Sequence, residues 1–170
     1  MLSSYRSSTP WLPAILWLGA ALIVQTEILG AMTLGNLQLS IVLVLVVWFA
    51  VRTDLRSAAF FALIAGACED IFSTQTGAAW TIATLLTAVS ASLVSRGFFA
   101  DSIPLLAGIV VLATLFRRLI FWIVMALQGY PAGYAGLHFH QALWESLVNG
   151  AFTVVAFTLI RLWRVRSRRA

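Results

Sequence analysis

The chain has 170 residues, of which 61% are hydrophobic and 10% charged, with a formal net charge of +5 and a mean hydropathy of +0.96. A soluble domain of this size needs far more charge to cover its surface, so the composition defines an integral membrane protein. At roughly 20 residues per span plus short turns, the chain holds five or six spanning helices and leaves no room for an appended soluble enzyme.

All eleven basic residues are Arg, a compositional bias that carries no functional weight. The single cysteine, Cys68, has no partner for an internal disulfide and reads as a small packing residue. The N-terminal MLSSYRSSTP precedes an apolar run, Trp11 to Gly30, that is as long as a full span. A cleaved signal peptide has a shorter core and a small-residue cleavage site, so this run is expected to be a retained first helix.

The first helix is predicted over about 11–30, with Pro13 in its first turn and Gln25 and Glu27 near its end. An uncharged turn leads to a second helix over 34–51. Arg52 to Arg56 form a charged connection to a third helix over 57–72, on which Ala58, Ala62, Gly66 and Asp70 follow at four-residue steps. Small residues at that spacing let another helix backbone approach closely, as a packing face or as a groove for a partner. After STQTG, the fourth helix is predicted over 77–95, with its own small stripe Thr84, Ala88 and Ser92. The fifth, over 102–128, starts at Pro104 and contains Arg117 and Arg118. GYPAGYAGLHFHQ reads as a loop with an aromatic interfacial character, followed by a sixth helix over 142–163 and a basic tail, 164–170.

Orientation follows from the arginines. Arg6, Arg52, Arg56, Arg96, Arg164, Arg166, Arg168 and Arg169 fall on the side shared by both termini and the second and fourth loops, and the other three loops have none. The positive-inside rule then predicts six spans with both termini in the cytoplasm.

At ~1.5 Å per residue, Asp70 lies roughly 20 Å along the third helix, and Arg117 and Arg118 roughly 22 to 24 Å along the fifth. Glu27 reaches the same zone on the first helix. Glu145 starts the sixth from the outside, with Asn149 and Thr153 one and two turns deeper. Two central arginines without counter-charges cost roughly 5 to 7 kcal/mol on an insertion scale, so pairing is expected, with Glu69 or Asp70 as the best partners. Four carboxylates against two arginines leave two in excess, expected to be protonated, at the water interface, or matched by a partner. Such a layer serves either as internal glue that fixes helix register or as a direct functional element.

The sequence contains no GxSxG, HExxH, glycine-rich phosphate loop or plausible Ser/His/Asp set, so an enzyme is not expected. His138 and His140 with Glu145 lack the spacing of a metal site, and no metal or cofactor is expected. The tail arginines, Arg164, Arg166, Arg168 and Arg169, suit anionic lipid, and nucleic acid is not needed to explain them.

The run Gly66-Ala67-Cys68-Glu69-Asp70-Ile71-Phe72-Ser73, followed by Gly77, resembles the MreD family of bacterial rod-shape-determining membrane proteins. That family shows a glycine, an aspartate with apolar residues and a small polar turn, and a second glycine at this spacing, and Gly66, Asp70 and Gly77 are the matching positions. Asn36, Leu37 and Gln38 stand where family members often have a proline and an acid, and the Arg117/Arg118 pair is unusual for it. The resemblance implies a non-enzymatic inner-membrane component of the cell-elongation complex. It would bind MreC, a single-span scaffold, and work beside MreB, RodA and a class B penicillin-binding protein in lateral peptidoglycan synthesis. It also implies a six-helix fold like the substrate-binding subunit of energy-coupling-factor vitamin transporters. That subunit is the alternative reading, although ILWLGAALIV offers no clean match to its alanine-xxx-alanine docking face.

Overall fold

The computed structural model describes residues 11–29, 39–73, 76–95, 102–131 and 135–167. Within them the protein is all-helical, with six helices: α1 (Trp11–Ile23), continued by a π-helical stretch Val24–Leu29, α2 (Ile41–Arg52), α3 (Leu55–Phe72), α4 (Ala79–Ser95), α5 (Ile103–Leu127) and α6 (Ala135–Ser167). Two of them, Ile103–Leu127 and Gly136–Ser167, are long and apolar enough to cross a membrane. Arg96, Arg168 and Arg169 lie outside the described residues, as do Asn36 to Gln38.

The helix starts have identifiable causes. Asp54 caps α3, accepting from the Ser57 amide at 3.2 Å and the Ser57 hydroxyl at 2.7 Å. Those two bonds, the hydroxyl first, hold the Asp54 carboxyl below its ordinary range. Pro104 occupies the first turn of α5, where its missing N–H costs nothing. Ser40 caps α2, so this helix begins at Ile41 and not at residue 34 as the apolar pattern suggests. With 12 residues, α2 is only ~18 Å long.

The most extensive packing is α3 on α4 and α5 on α6, with α4 against α5 and α2 joining both pairs. The apolar core follows α2. On one side Val42, Val46 and Phe49 meet Leu18 of α1 and Phe61, Ala62 and Ala65 of α3. On the other, Leu43 and Val47 meet Leu106 and Val110 of α5. Outward faces are strongly apolar: Leu127 is 83% exposed, Ile71 73% and Trp163 70%. Such surface is unfavourable in water and ordinary in lipid.

Helix α6 also differs from its sequence pattern. It starts at Ala135, so the histidine segment expected as a loop is helical. The reason is packing: His138 lies on Trp122 of α5 with ring centroids 4.9 Å apart, and Tyr130 closes against both rings. On that side the end of α5 meets the turn between α3 and α4, where a Cβ at Gly77 would lie 3.3 Å from Gln128 Nε2.

Candidate functional site: a closed polar layer

A band of hydrogen-bonded side chains crosses the bundle at the level of the start of α2 and the last turn of α3, with contributions from all six helices or their immediate ends. Its centre is Arg117, 2% exposed. The guanidinium ion-pairs with Glu69 of α3, donates through Nε to Thr84 Oγ1 of α4 at 3.0 Å, and donates to Ser40 Oγ at the start of α2 at 3.1 Å. It also lies over the Trp80 ring, 4.4 Å from its centroid, while that ring stacks on Phe121 at 4.0 Å. Each donor direction used is thus met by a fixed acceptor, which is how an arginine is tolerated away from water.

The band continues to both edges of the bundle. Glu69 Oε1 accepts from Gln25 Nε2 of the π-helical stretch at 3.3 Å, and Gln25 Oε1 accepts from the Val42 amide at 3.1 Å. Asn149 of α6 accepts from the Ser40 amide at 2.9 Å and donates to Thr114 of α5 at 3.1 Å. The amides of Ser40, Val42 and Leu43, which an α-helix start leaves without intrahelical partners, are therefore met by Asn149, Gln25 and Ser40. Beside this network Arg118 ion-pairs with Glu145 of α6 and lies 5.3 Å from the Trp80 ring centroid.

Asp70 takes a different role from its neighbour. It joins neither arginine. Its Oδ1 accepts from Thr76 Oγ1 at 2.9 Å and the Trp80 amide at 3.1 Å, and its Oδ2 from the Thr81 amide at 2.8 Å and hydroxyl at 2.6 Å. A carboxylate from the end of α3 thus caps α4, where the helix dipole also favours negative charge. One turn earlier on α3, Gly66 touches the same start of α4: a Cβ there would sit 2.6 Å from Thr81 Cα and 3.0 Å from the Trp80 carbonyl oxygen. Gly77, with φ +58°, makes the left-handed turn between the helices. Gly66, Asp70 and Gly77 are one device, a helical hairpin whose backbones touch and whose return helix is capped across the gap.

The structure brings Glu69, Arg117, Asn149 and Thr84 into one network and Arg118 and Glu145 into a pair beside it. Glu27 is exposed and stays out of this network. Ala58, Ala62, Gly66, Thr84, Ala88 and Ser92 are buried inside the bundle, so that stripe is used in packing and offers no groove to a partner. Gly77 is exposed, as are Arg164 and Arg166 at the end of α6. No group of three or more metal-ligating side chains occurs among the described residues.

Sequence reasoning missed Ser40, Thr114, Trp80 and Thr81. Ser40 stands directly before an uninterrupted apolar run, a helix-cap signal. Thr114 lies three residues before Arg117 and so shares its helix face. Trp80 and Thr81 carry no such signal, because their role comes from backbone amides and a ring placed by the hairpin.

Every buried side-chain nitrogen and oxygen among the described residues has a hydrogen-bond partner. A band closed in this way can hold six helices in register. The fold and site define a polar-layered six-helix bundle. No protein family, curated protein or solved structure matches the chain.

Proposed function

We propose that the chain is a multi-pass, non-enzymatic protein of the bacterial cytoplasmic membrane that acts as an MreD-like component of the cell-elongation complex. The observation that carries this reading is the Gly66–Asp70–Gly77 hairpin. The three positions on which the resemblance rests make one physical unit, a backbone contact, a cap and a turn. Residues that work together have reason to be retained together.

Membrane insertion is supported by the exposed apolar faces and by the level of the charges. Arg52 on α2 is twelve residues from Ser40, and Arg161 on α6 is twelve from Asn149, so both lie ~18 Å from the polar layer. With the inner boundary there, a ~30 Å hydrocarbon core ends near Gln141 of α6. Trp48 and Trp163 then mark one interface and Trp144 the other, with both termini on the arginine side. Exposed Arg161, Arg164 and Arg166 on the last turns of α6 meet anionic headgroups there.

The chemistry of the layer favours assembly over transport or catalysis. Its partner in this reading is the membrane helix of an MreC-like protein, with MreB, RodA and a class B penicillin-binding protein in the larger complex. Because the small stripe of α3 and α4 is internal, the docking place assigned to that helix is the open side of α4. There Thr87, Ser90 and Val94 of α4 face Leu112 and Phe116 of α5 across an apolar cleft of about 180 Å³.

The test is co-purification of the tagged full chain from detergent with its cellular neighbours, with mass spectrometry for proteins and small ligands. Wild type is expected to bring down an MreC-like protein. Leu112→Trp, which fills the cleft from an exposed position, is expected to stay folded and lose it. Recovery of the chain alone with a stoichiometric vitamin would replace this reading with that of a transporter substrate-binding subunit.

A further inference from the structure

The arginines at the inner end of the bundle are placed by the register of two helices. α2 and α6 run side by side in the same direction. The Ser40 amide, just before α2, donates to Asn149 of α6 at 2.9 Å, and eight residues on along both helices the Trp48 and Phe157 rings meet with centroids 6.4 Å apart. One turn further on each helix come Arg52 and Arg161. They therefore lie at one level on neighbouring helices, and Arg164 follows on α6 beyond the last residue of α2.

The faces agree with the levels. At ~100° per residue, Arg161 and Arg164 fall within about 40° of Phe157 around α6, on the side turned to α2, whereas Arg166 falls about 180° from it. The Arg52 guanidinium lies over the Trp48 ring, 5.3 Å from its centroid, and that ring is the one that meets Phe157. The acid nearest to Arg52 in the chain, Asp54, directs both carboxylate oxygens to Ser57. Arg52, Arg161 and Arg164 are exposed, so their charge is presented beside an apolar floor of two rings.

We propose that Arg52, Arg161 and Arg164 form one binding site for the phosphate of an anionic lipid, bridging α2 and α6 with Trp48 and Phe157 beneath it. The inference rests on the membrane reading above, which puts this level at the inner boundary, and it deepens that reading. General attraction of a basic helix end to acidic lipid needs no particular face, whereas this site uses one. Guanidinium groups meet phosphate oxygens through paired N–H donors, and arginines on two helices can hold those oxygens from both sides. An indole at this depth lies beside the headgroup region, so the rings receive the part of the lipid below its phosphate. Free phosphate offers the same oxygens but nothing to lay on the rings, which favours the lipid. A bound phosphate also relieves the repulsion between like charges on adjacent helices, and so ties the end of α2 to α6.

The test is native mass spectrometry of the full-length chain in non-ionic detergent, titrated with dioleoyl phosphatidylglycerol, with dioleoyl phosphatidylcholine and inorganic phosphate as separate arms. Wild type is expected to retain phosphatidylglycerol, and Arg52→Gln, Arg161→Gln and Arg164→Gln each to weaken its retention by about tenfold. Arg166→Gln removes the same charge from the opposite face and is expected to change retention by less than about twofold. All four positions are exposed, so the variants are expected to fold. Equal losses in all four show a diffuse field and overturn the site, as does phosphatidylcholine held as tightly as phosphatidylglycerol. Displacement of the lipid by inorganic phosphate at a matching concentration would assign the arginines to a free anion and overturn the lipid. The need for detergent is read in the same preparations. A chain that stays in solution without it overturns the membrane reading and the site together, whereas a chain that needs it and shows no contrast with Arg166→Gln loses the site alone.

Discussion

Gly66 has no room for a side chain. The atoms that a side chain there would meet are backbone, Thr81 Cα and the Trp80 carbonyl, and backbone cannot rotate away. Gly66→Ala is therefore expected to destabilise the folded chain by roughly 1–3 kcal/mol, the usual range for overpacking, read as a lowered thermal midpoint in detergent. Arg117 presents the opposite problem, a charge that must keep its partner. Arg117→Met leaves Glu69 buried without its counter-charge and is expected to cost about 3–5 kcal/mol. The double variant Arg117→Met/Glu69→Gln removes both charges and is expected to recover most of that loss. A double variant no better than the single one would show that the hydrogen bonds to Thr84 and Ser40, and not the ion pair, dominate.

Among the elements, α2 and the α5–α6 pair show how the layer and the packing support one another. The start of α2 is held by side chains from the π-helical end of α1 and from α6, so Asn149→Leu strands the Ser40 amide and takes the Asn149 donor from the Thr114 hydroxyl, which keeps its own bond to the Val110 carbonyl. A loss of about 1–3 kcal/mol is expected, with faster hydrogen exchange concentrated in the first turn of α2. Between α5 and α6 the close approach is at Gly150, where a Cβ would meet Val111 Cγ2 at 2.6 Å. Here the obstacle is a side chain, so Gly150→Ala is expected to be harmful alone and largely repaired by Val111→Ala. Failure of that repair would place the strain in the helix backbones. Elements of this kind were legible in the sequence where local chemistry sets them, as Pro104 does at the start of α5; the charged link expected over Arg52 to Arg56 is shorter, because α2 runs through Arg52 and the Asp54 cap starts α3 at Leu55. The first turns of α6 were not, because Gly, Pro and Tyr suggest a loop, whereas the helix there packs on Trp122 of α5 through His138, a contact that is distant in sequence.

For the whole molecule, the orientation of the proposed membrane fold is open to a direct test. In a Cys68→Ser background, Arg56→Cys and Arg164→Cys are expected to be shielded from a membrane-impermeant maleimide in intact spheroplasts, and Gln128→Cys to be labelled. The reverse pattern would invert the topology. Composition and arginine placement were sufficient for the all-helical, strongly apolar character of the chain, because the cost of exposing apolar surface and the three-to-four-residue spacing of small residues are local properties that survive in one dimension. The pairing inside the layer was not available in that way. Glu69 and Asp70 are adjacent and chemically alike, yet successive helical positions are turned about 100° apart. One carboxylate consequently faces the arginine of α5 while the other faces the amides of α4. That choice depends on where α4 and α5 lie around α3, which only the packed bundle decides.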